Sequence, residues 1–228
     1  MQRSTHLSSR TLWLLLAGFM LIIVLLDQWL KVWVKTHMVL GQEFSLIGSW
    51  ARIHFTENNG IAFGLSPSSV WAKALLSLFR IVAMGTMVGI LIHLVRRQKA
   101  PLGLLLGLAG LIAGALGNII DGTFYGLIFS SSEGLVLQGE EFVQPLATLF
   151  PSDGGYAPLF HGKVVDMLYF PILEFTWPQW VPIWGGKYFQ FFQPVFNIAD
   201  ASITASVFYL LLFQWKNLFG KHAAKGKA

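Results

Sequence analysis

The chain has 228 residues, 54% of them hydrophobic and only 12% charged, with a net charge of +5 and a mean hydropathy of +0.60. Soluble domains carry charge on about a quarter of their residues, so the composition excludes an ordinary soluble fold. There is no cysteine, which excludes disulfides and thiol catalysis.

A helix crossing the roughly 30 Å hydrocarbon core needs about 20 mostly apolar residues. Four segments meet that test, at about 11–34, 70–95, 101–121 and 195–214. They predict an all-α polytopic membrane protein with four transmembrane helices, a single membrane-embedded domain over 1–228. Arg3 and Arg10 precede the first apolar run as a signal peptide's charges would. The run continues through "LLDQWLKVWV" with no small-residue cleavage pattern, so it is read as a retained span. Lys73 and Arg80 blur the start of the second span.

Basic residues gather in the N-terminal tail, at Arg96, Arg97 and Lys99, and in the tail from Lys216 onward, while all 11 acidic residues lie elsewhere. The positive-inside rule puts both termini and the 96–100 turn in the cytoplasm, although Lys31 and Lys35 at the far end of the first span weaken the bias slightly. The connections at about 35–69 and 122–194 then face the opposite side. The basic tails are read as topology signals and lipid-headgroup contacts, not nucleic-acid binding. The stretch at about 217–228 reads as a disordered basic tail.

In the first long connection, "WARIHFTENNGIAFGL" alternates Ala51, Ile53 and Phe55 with Arg52, His54 and Thr56. That period of two predicts a half-buried strand, part of a small extracytoplasmic sheet or hairpin, with a turn at Asn58–Gly60. In the second, 130–162 reads as a solvated excursion. "MLYFPILEFTWPQWVPIWGGKYFQFFQP" is rich in aromatics and broken by Pro171, Pro178 and Pro182. It is read as an interfacial aromatic segment, with a fifth, broken span as the alternative.

Three helices carry polar groups at similar depth. Asp27 counted from Thr11, Asn118 from Leu102 and Asp200 back from Lys216 each lie about 24 Å along their axes, at ~1.5 Å per residue. Asn118 and Asp121, like Asn197 and Asp200, are three apart and share a helix face. Asp27 and Lys31 are four apart in the favourable acid-first order, which fits either a local salt bridge closing the helix or a site role. Asn197 is either a helix cap or a site residue. Asp166, after Val164 and Val165 in "GKVVDMLYF", is a second carboxylate that a short strand could bring to Asp200. Ionisable groups in spans face partners or water-filled cavities and mark function.

These pieces, in order, resemble the lipoprotein signal peptidase (signal peptidase II) family: "DQWLK" at 27–31, "NNGIAFG" at 58–64, "GNIID" at 117–121, "VVDMLYF" at 164–170 and "FNIADASI" at 196–203. The resemblance covers most of the chain outside the tails and about 130–162. It implies an aspartyl endopeptidase of the bacterial inner membrane, multi-pass and cytoplasmic at both termini. Its site would lie near the periplasmic face and cleave the signal peptide of diacylglyceryl-modified prolipoproteins before the lipidated cysteine. It further implies a catalytic pair of Asp166 and Asp200, with Asn58, Gly60, Asn118, Asp121, Asn197, Ala199, Asp27 and Lys31 binding substrate or ordering the site. Prolipoprotein signal peptides and membrane lipids are the implied partners, a monomer is the expected state, and neither cofactor nor metal is called for.

Two departures from the family pattern stand out. The third motif usually ends in Asp-Arg, but Gly122 follows Asp121 here; Lys163 and Lys187 are the candidate substitutes. The segment between the third and fourth motifs is also long.

Two adjacent carboxyl groups share a proton, so one can activate water while the other donates to the scissile carbonyl. A shallow site suits a signal peptide whose cleavage point lies near the outer leaflet. Asn58 and "WPQWVPIW" are read as a clamp on the headgroup side. The rivals are a small proton-coupled transporter, with Asp27, Asp121 and Asp200 as a relay, and a non-catalytic interaction module. The absence of an internal repeat counts against the former.

Overall fold

The structure, a computed structural model, describes residues 8–58, 70–97, 100–139 and 141–219. The chain divides into two compact units: Met1–Gln28, Leu75–Ile119 and Ile198–Ala228 form the first, and Trp29–Ala74 with Ile120–Asn197 the second.

Helices build the first unit. Helix α1 (Ser9–His37) opens where the Ser8 hydroxyl accepts the Thr11 N–H at 3.1 Å, a serine N-cap. Helix α2 (Val70–Arg97) matches the second expected span, and α3 (Leu102–Ile120) starts directly after Pro101, whose carbonyl accepts the Leu104 N–H at 3.0 Å. Three segments, Ser9–His37, Leu75–Arg97 and Leu102–Ile128, are long and apolar enough to cross a membrane. The fourth expected span is shorter: its helix, Ile198–Phe213, has 16 residues. The chain spends Val195–Phe196 in a strand before the helix can begin. A core of Leu12, Leu16, Leu91, Val95, Leu105, Ile112 and Leu210 joins these helices.

The last helix lies close against α3 because α3 carries glycine at 103, 107, 110, 114 and 117. A Cβ on Gly107 would sit 2.6 Å from the Leu210 side chain, and one on Gly114 would strike the Ala199 carbonyl oxygen. The Ser202 hydroxyl donates to the Gly110 carbonyl at 2.9 Å across the same seam. Small residues let helix backbones approach in an apolar environment, where dispersion and interhelical hydrogen bonds replace the hydrophobic drive.

The second unit holds more sheet than expected, so the all-α description fits only the spanning segments. Strands β1 (Glu43–Ile47) and β2 (Ala51–Asn58) form the expected hairpin. Further on come β3 (Val136–Gln138), β4 (Glu141–Val143), β5 (Val164–Tyr169), β6 (Leu173–Thr176), β7 (Tyr188–Phe191) and β8 (Val195–Phe196). The main sheet is antiparallel in the order β1-β2-β5-β8, while β3-β4 and β6-β7 are separate hairpins. Ile53, Phe55, Val165 and Met167 face a core with Val34, Met38, Tyr125 and Phe129. Alternation therefore turns Asp166 away from that core, opposite Thr56.

The aromatic segment is the β6–β7 hairpin, not a broken span. Phe175 meets Trp177 edge-on and Phe189 at a tilt, with ring centroids 4.8 and 5.1 Å apart. The 130–162 stretch is not a simple solvated excursion either: Ser132 and Ala147 are buried, and Tyr156 packs against the second core. The expected turn at Asn58–Gly60 runs past Asn58 into residues outside those described, as does the basic tail beyond 219.

Packing along the α3 seam predicts a contrast. Gly114→Ala meets backbone and lowers stability by about 1–3 kcal/mol, whereas Gly18→Ala, which meets nothing within 4 Å, leaves it nearly unchanged. Thermal unfolding of both variants in the same detergent reads the difference.

Candidate active site

The candidate residues fall into three groups, each within one unit. In the second unit, β5 carries Asp166, 4% exposed, and the fully buried Asn197 ends the strand segment before the last helix. The Asn197 amide donates to Asp166 Oδ1 at 2.7 Å and more weakly to the Val165 carbonyl at 3.4 Å. Asn197 thus stands at a helix start, as a cap would, and its side chain holds the strand aspartate. Asn58 ends β2 across from Val164.

The first unit holds Asp200 in the opening turn of the last helix, where the helix dipole favours an anion. The Asn118 amide donates to Asp200 Oδ1 at 2.6 Å. Nearby, Asp27 is buried and accepts the Ala199 N–H at 2.8 Å, supplying a carboxylate to one of the helix's free N–H groups. Gln28 donates both to Asp27 at 3.1 Å and to the Gly117 carbonyl at 3.2 Å, tying α1 to α3. A Cβ on Gly117 would lie 2.7 Å from Asp27 Oδ2, so glycine is required there for this carboxylate to reach the last helix.

In the second unit, the Lys31 ammonium and Asp121 meet at 2.7 Å with no exposed side-chain surface on either. Asp121 opens a π-helical turn (Asp121–Tyr125) at the end of α3 and also accepts the Val165 N–H at 3.4 Å, next to Asp166 in the chain. Gly60 lies outside the described residues.

A further cluster was not foreseen. Lys35, four residues after Lys31, pairs with Glu57, whose side chain is 3% exposed, and donates to Ser132 at 2.8 Å. Ser132 donates to Glu57 at 3.1 Å, and Lys163 bridges Glu57 at 3.5 Å and Glu133 at 2.6 Å. The Lys35 ammonium lies over the Tyr156 and Phe129 rings at 5.0 and 5.4 Å from their centroids. Burial pushes the Tyr156 phenol up, so it stays neutral while accepting the Lys163 N–H at 2.7 Å. The spacing of Asp27, Lys31 and Lys35 on one face was the available signal. Their partners lie far off in sequence.

At Gly122 the carbonyl accepts the Gly162 N–H at 3.0 Å, and a Cβ would meet nothing within 4 Å. Of the lysines considered as substitutes for an arginine here, Lys163 follows Gly162 but is engaged with Glu57 and Glu133, and Lys187 lies 5.6 Å from the Trp184 ring centroid. Among the described residues no group of three His, Asp or Glu side chains is disposed to hold a metal ion.

Three helices long and apolar enough to cross a membrane mark the class as helical membrane proteins. The family model described as signal peptidase (SPase) II matches residues 19–216. A lipoprotein signal peptidase of Porphyromonas gingivalis is 48% identical over 196 residues, covering 86% of this chain and 80% of that protein. One of Amoebophilus asiaticus is 33% identical over 197 residues, 86% of this chain and 75% of its own length. Among solved structures, a bacterial membrane enzyme aligns over 93% of this chain and 94% of its own with a TM-score of 0.54 at 21% identity, a likeness of fold. The chain belongs to the signal peptidase II family, and so to the protease hydrolases. The transporter reading falls away with that assignment.

The buried pair yields a stability prediction. Lys31→Met leaves the Asp121 carboxylate facing a thioether and costs about 3–5 kcal/mol, while Lys31→Met with Asp121→Leu recovers most of the loss. Unfolding in detergent measures both. A single variant as stable as the parent would show that this pair does not hold the helix end.

Proposed function

We propose that the chain is an aspartyl endopeptidase that removes the signal peptide from diacylglyceryl-modified prolipoproteins, cutting on the N-terminal side of the lipidated cysteine. The substrate follows the name of its relatives, lipoprotein signal peptidase. The aspartyl chemistry rests on one observation: Asp166 and Asp200 are each oriented by an asparagine, at 2.7 and 2.6 Å. Asn197, the partner of Asp166, precedes Asp200 by only three residues. Asn58, Gly60, Asn118, Asp121, Asn197, Ala199, Asp27 and Lys31 are the residues that bind substrate or order the site in this reading.

The ionised member of the dyad takes a proton from water, and the protonated member donates to the scissile carbonyl oxygen. Water attacks the carbonyl carbon, a tetrahedral intermediate forms, and it collapses as a proton passes to the leaving amine. Asn118 and Asn197 hold the carboxylates for this exchange, because an amide orients an oxygen without neutralising its charge.

The same reading makes the protein a monomeric, single-domain enzyme of the bacterial cytoplasmic membrane with four spans. The last helix rises about 24 Å at ~1.5 Å per residue, and a short helix (Trp215–Phe219) follows it. Arg96 and Arg97 end α2, and the positive-inside rule supports reading that end and both termini as cytoplasmic, with the dyad near the opposite face.

Incubation with a prolipoprotein, with and without its diacylglyceryl group, tests the function. Cleavage of the lipidated form in the presence of a chelator is expected. Asp166→Asn and Asp200→Asn should each lower turnover by at least about 10²-fold, as loss of a general acid or base does. Robust turnover by either folded variant would overturn the dyad. The exposed Trp180 and Trp184 on the β6–β7 hairpin connection are expected to raise KM without changing kcat when replaced by alanine. Unchanged KM would remove them from substrate binding.

A further inference from the structure

We propose that the first unit carries a binding site for one anionic phospholipid, with an acyl chain laid in an apolar cleft and the phosphate held at Arg96 and Arg97. The site is separate from the candidate catalytic residues. A cleft of about 380 Å³ opens between three helices, lined by Trp13 and Met20 of α1, Val88, Leu91 and Ile92 of α2, and Ile112 of α3. Among the described residues lining it, Arg96 alone is charged. A second cavity, of about 430 Å³, is lined by Gly89, His93 and Arg97 together with Ile92 and Arg96 again. Ile92 and Arg96 line both cavities, so an apolar cleft and a cationic one share the same stretch of α2.

That division of chemistry matches one class of ligand. From Val88 to Arg96 the helix rises about 12 Å, most of the roughly 15 Å hydrocarbon depth of one leaflet. The cationic end coincides with the last turn of α2, and Trp13 lies in the first turns of α1, the position where tryptophan meets headgroups. Gly89 contributes no side chain, and a Cβ there would meet nothing within 4 Å, which leaves the helix backbone open to close approach. No acid is among the described residues lining either cavity. Guanidinium groups bind phosphate through paired N–H donors, whereas a choline headgroup would add a cation beside two others. A free anion would use the arginines alone and leave the apolar cleft without a role.

Native mass spectrometry of the full chain, released from micelles containing equal amounts of dioleoyl phosphatidylglycerol and dioleoyl phosphatidylcholine, tests the site. One phosphatidylglycerol should be retained over phosphatidylcholine by about tenfold or more, the scale expected of two arginines at an anionic surface. Arg96→Gln with Arg97→Gln should abolish the preference, and Arg96→Lys with Arg97→Lys should keep most of it. Ile92→Trp, which fills the cleft, should reduce retention of both lipids. The proposal is overturned if the glutamine variant keeps the preference, or if Arg10→Gln, outside both cavities, removes it equally and so reveals only bulk charge. Displacement of the retained lipid by excess glycerol phosphate would also overturn it, because the acyl chain would then contribute nothing. Unfolding temperatures of the variants guard against trivial loss of fold.

Discussion

A carboxylate in a mostly apolar chain persists only where a donor or a cation meets it, and that constraint organises this protein. Asp27 takes a backbone N–H at the start of the last helix, Asp121 takes the Lys31 ammonium, and Glu57 takes two lysines and a serine. Asp166 and Asp200 take asparagine amides. The acids that meet ammonium groups or cap a helix hold helices and strands together. Those held by amides have one carboxylate oxygen kept in a fixed direction.

Position on the sheet is the second constraint. A shift of one residue between β2 and β5 would turn Asp166 into the core and Val165 out of it. The register is fixed from both sides. Val165 and Met167 sit in the apolar core, and Glu57, paired with Val165 in the register, is clamped by Lys35 and Lys163. The long segment after α3 takes part in this clamp through Ser132, Glu133 and Tyr156, so it belongs to the architecture that holds Asp166. Gly162 adds to it: its N–H bonds the Gly122 carbonyl, and a Cβ there would strike the Asp121 carbonyl.

What could be read in the sequence was what local pattern encodes. Apolar length marked α1, α2 and α3, and period-two alternation marked β2. Val164 and Val165 marked the strand that carries Asp166. Asn118 with Asp121 and Asn197 with Asp200 were visible as spaced pairs, but not which acid each asparagine serves. Asn197 reaches back 31 residues to Asp166, and Asn118 reaches forward 82 to Asp200. Lys35 meets Glu57 across 22 residues and Ser132 across 97, distances at which spacing carries no information. The last helix came out shorter than its apolar run because Val195 and Phe196 had partners in β5. Sheet pairing outweighed helical continuation there.

In the proposed mechanism two aspartates act on one substrate carbonyl. A crystal structure with a peptide analogue bearing a hydroxyl in place of the scissile carbonyl tests it most directly. Both carboxylates should lie within about 2.6–3.2 Å of that hydroxyl, the reach of proton transfer. An analogue bound with either carboxylate well beyond hydrogen-bonding distance of the hydroxyl, and no water between them, would contradict it.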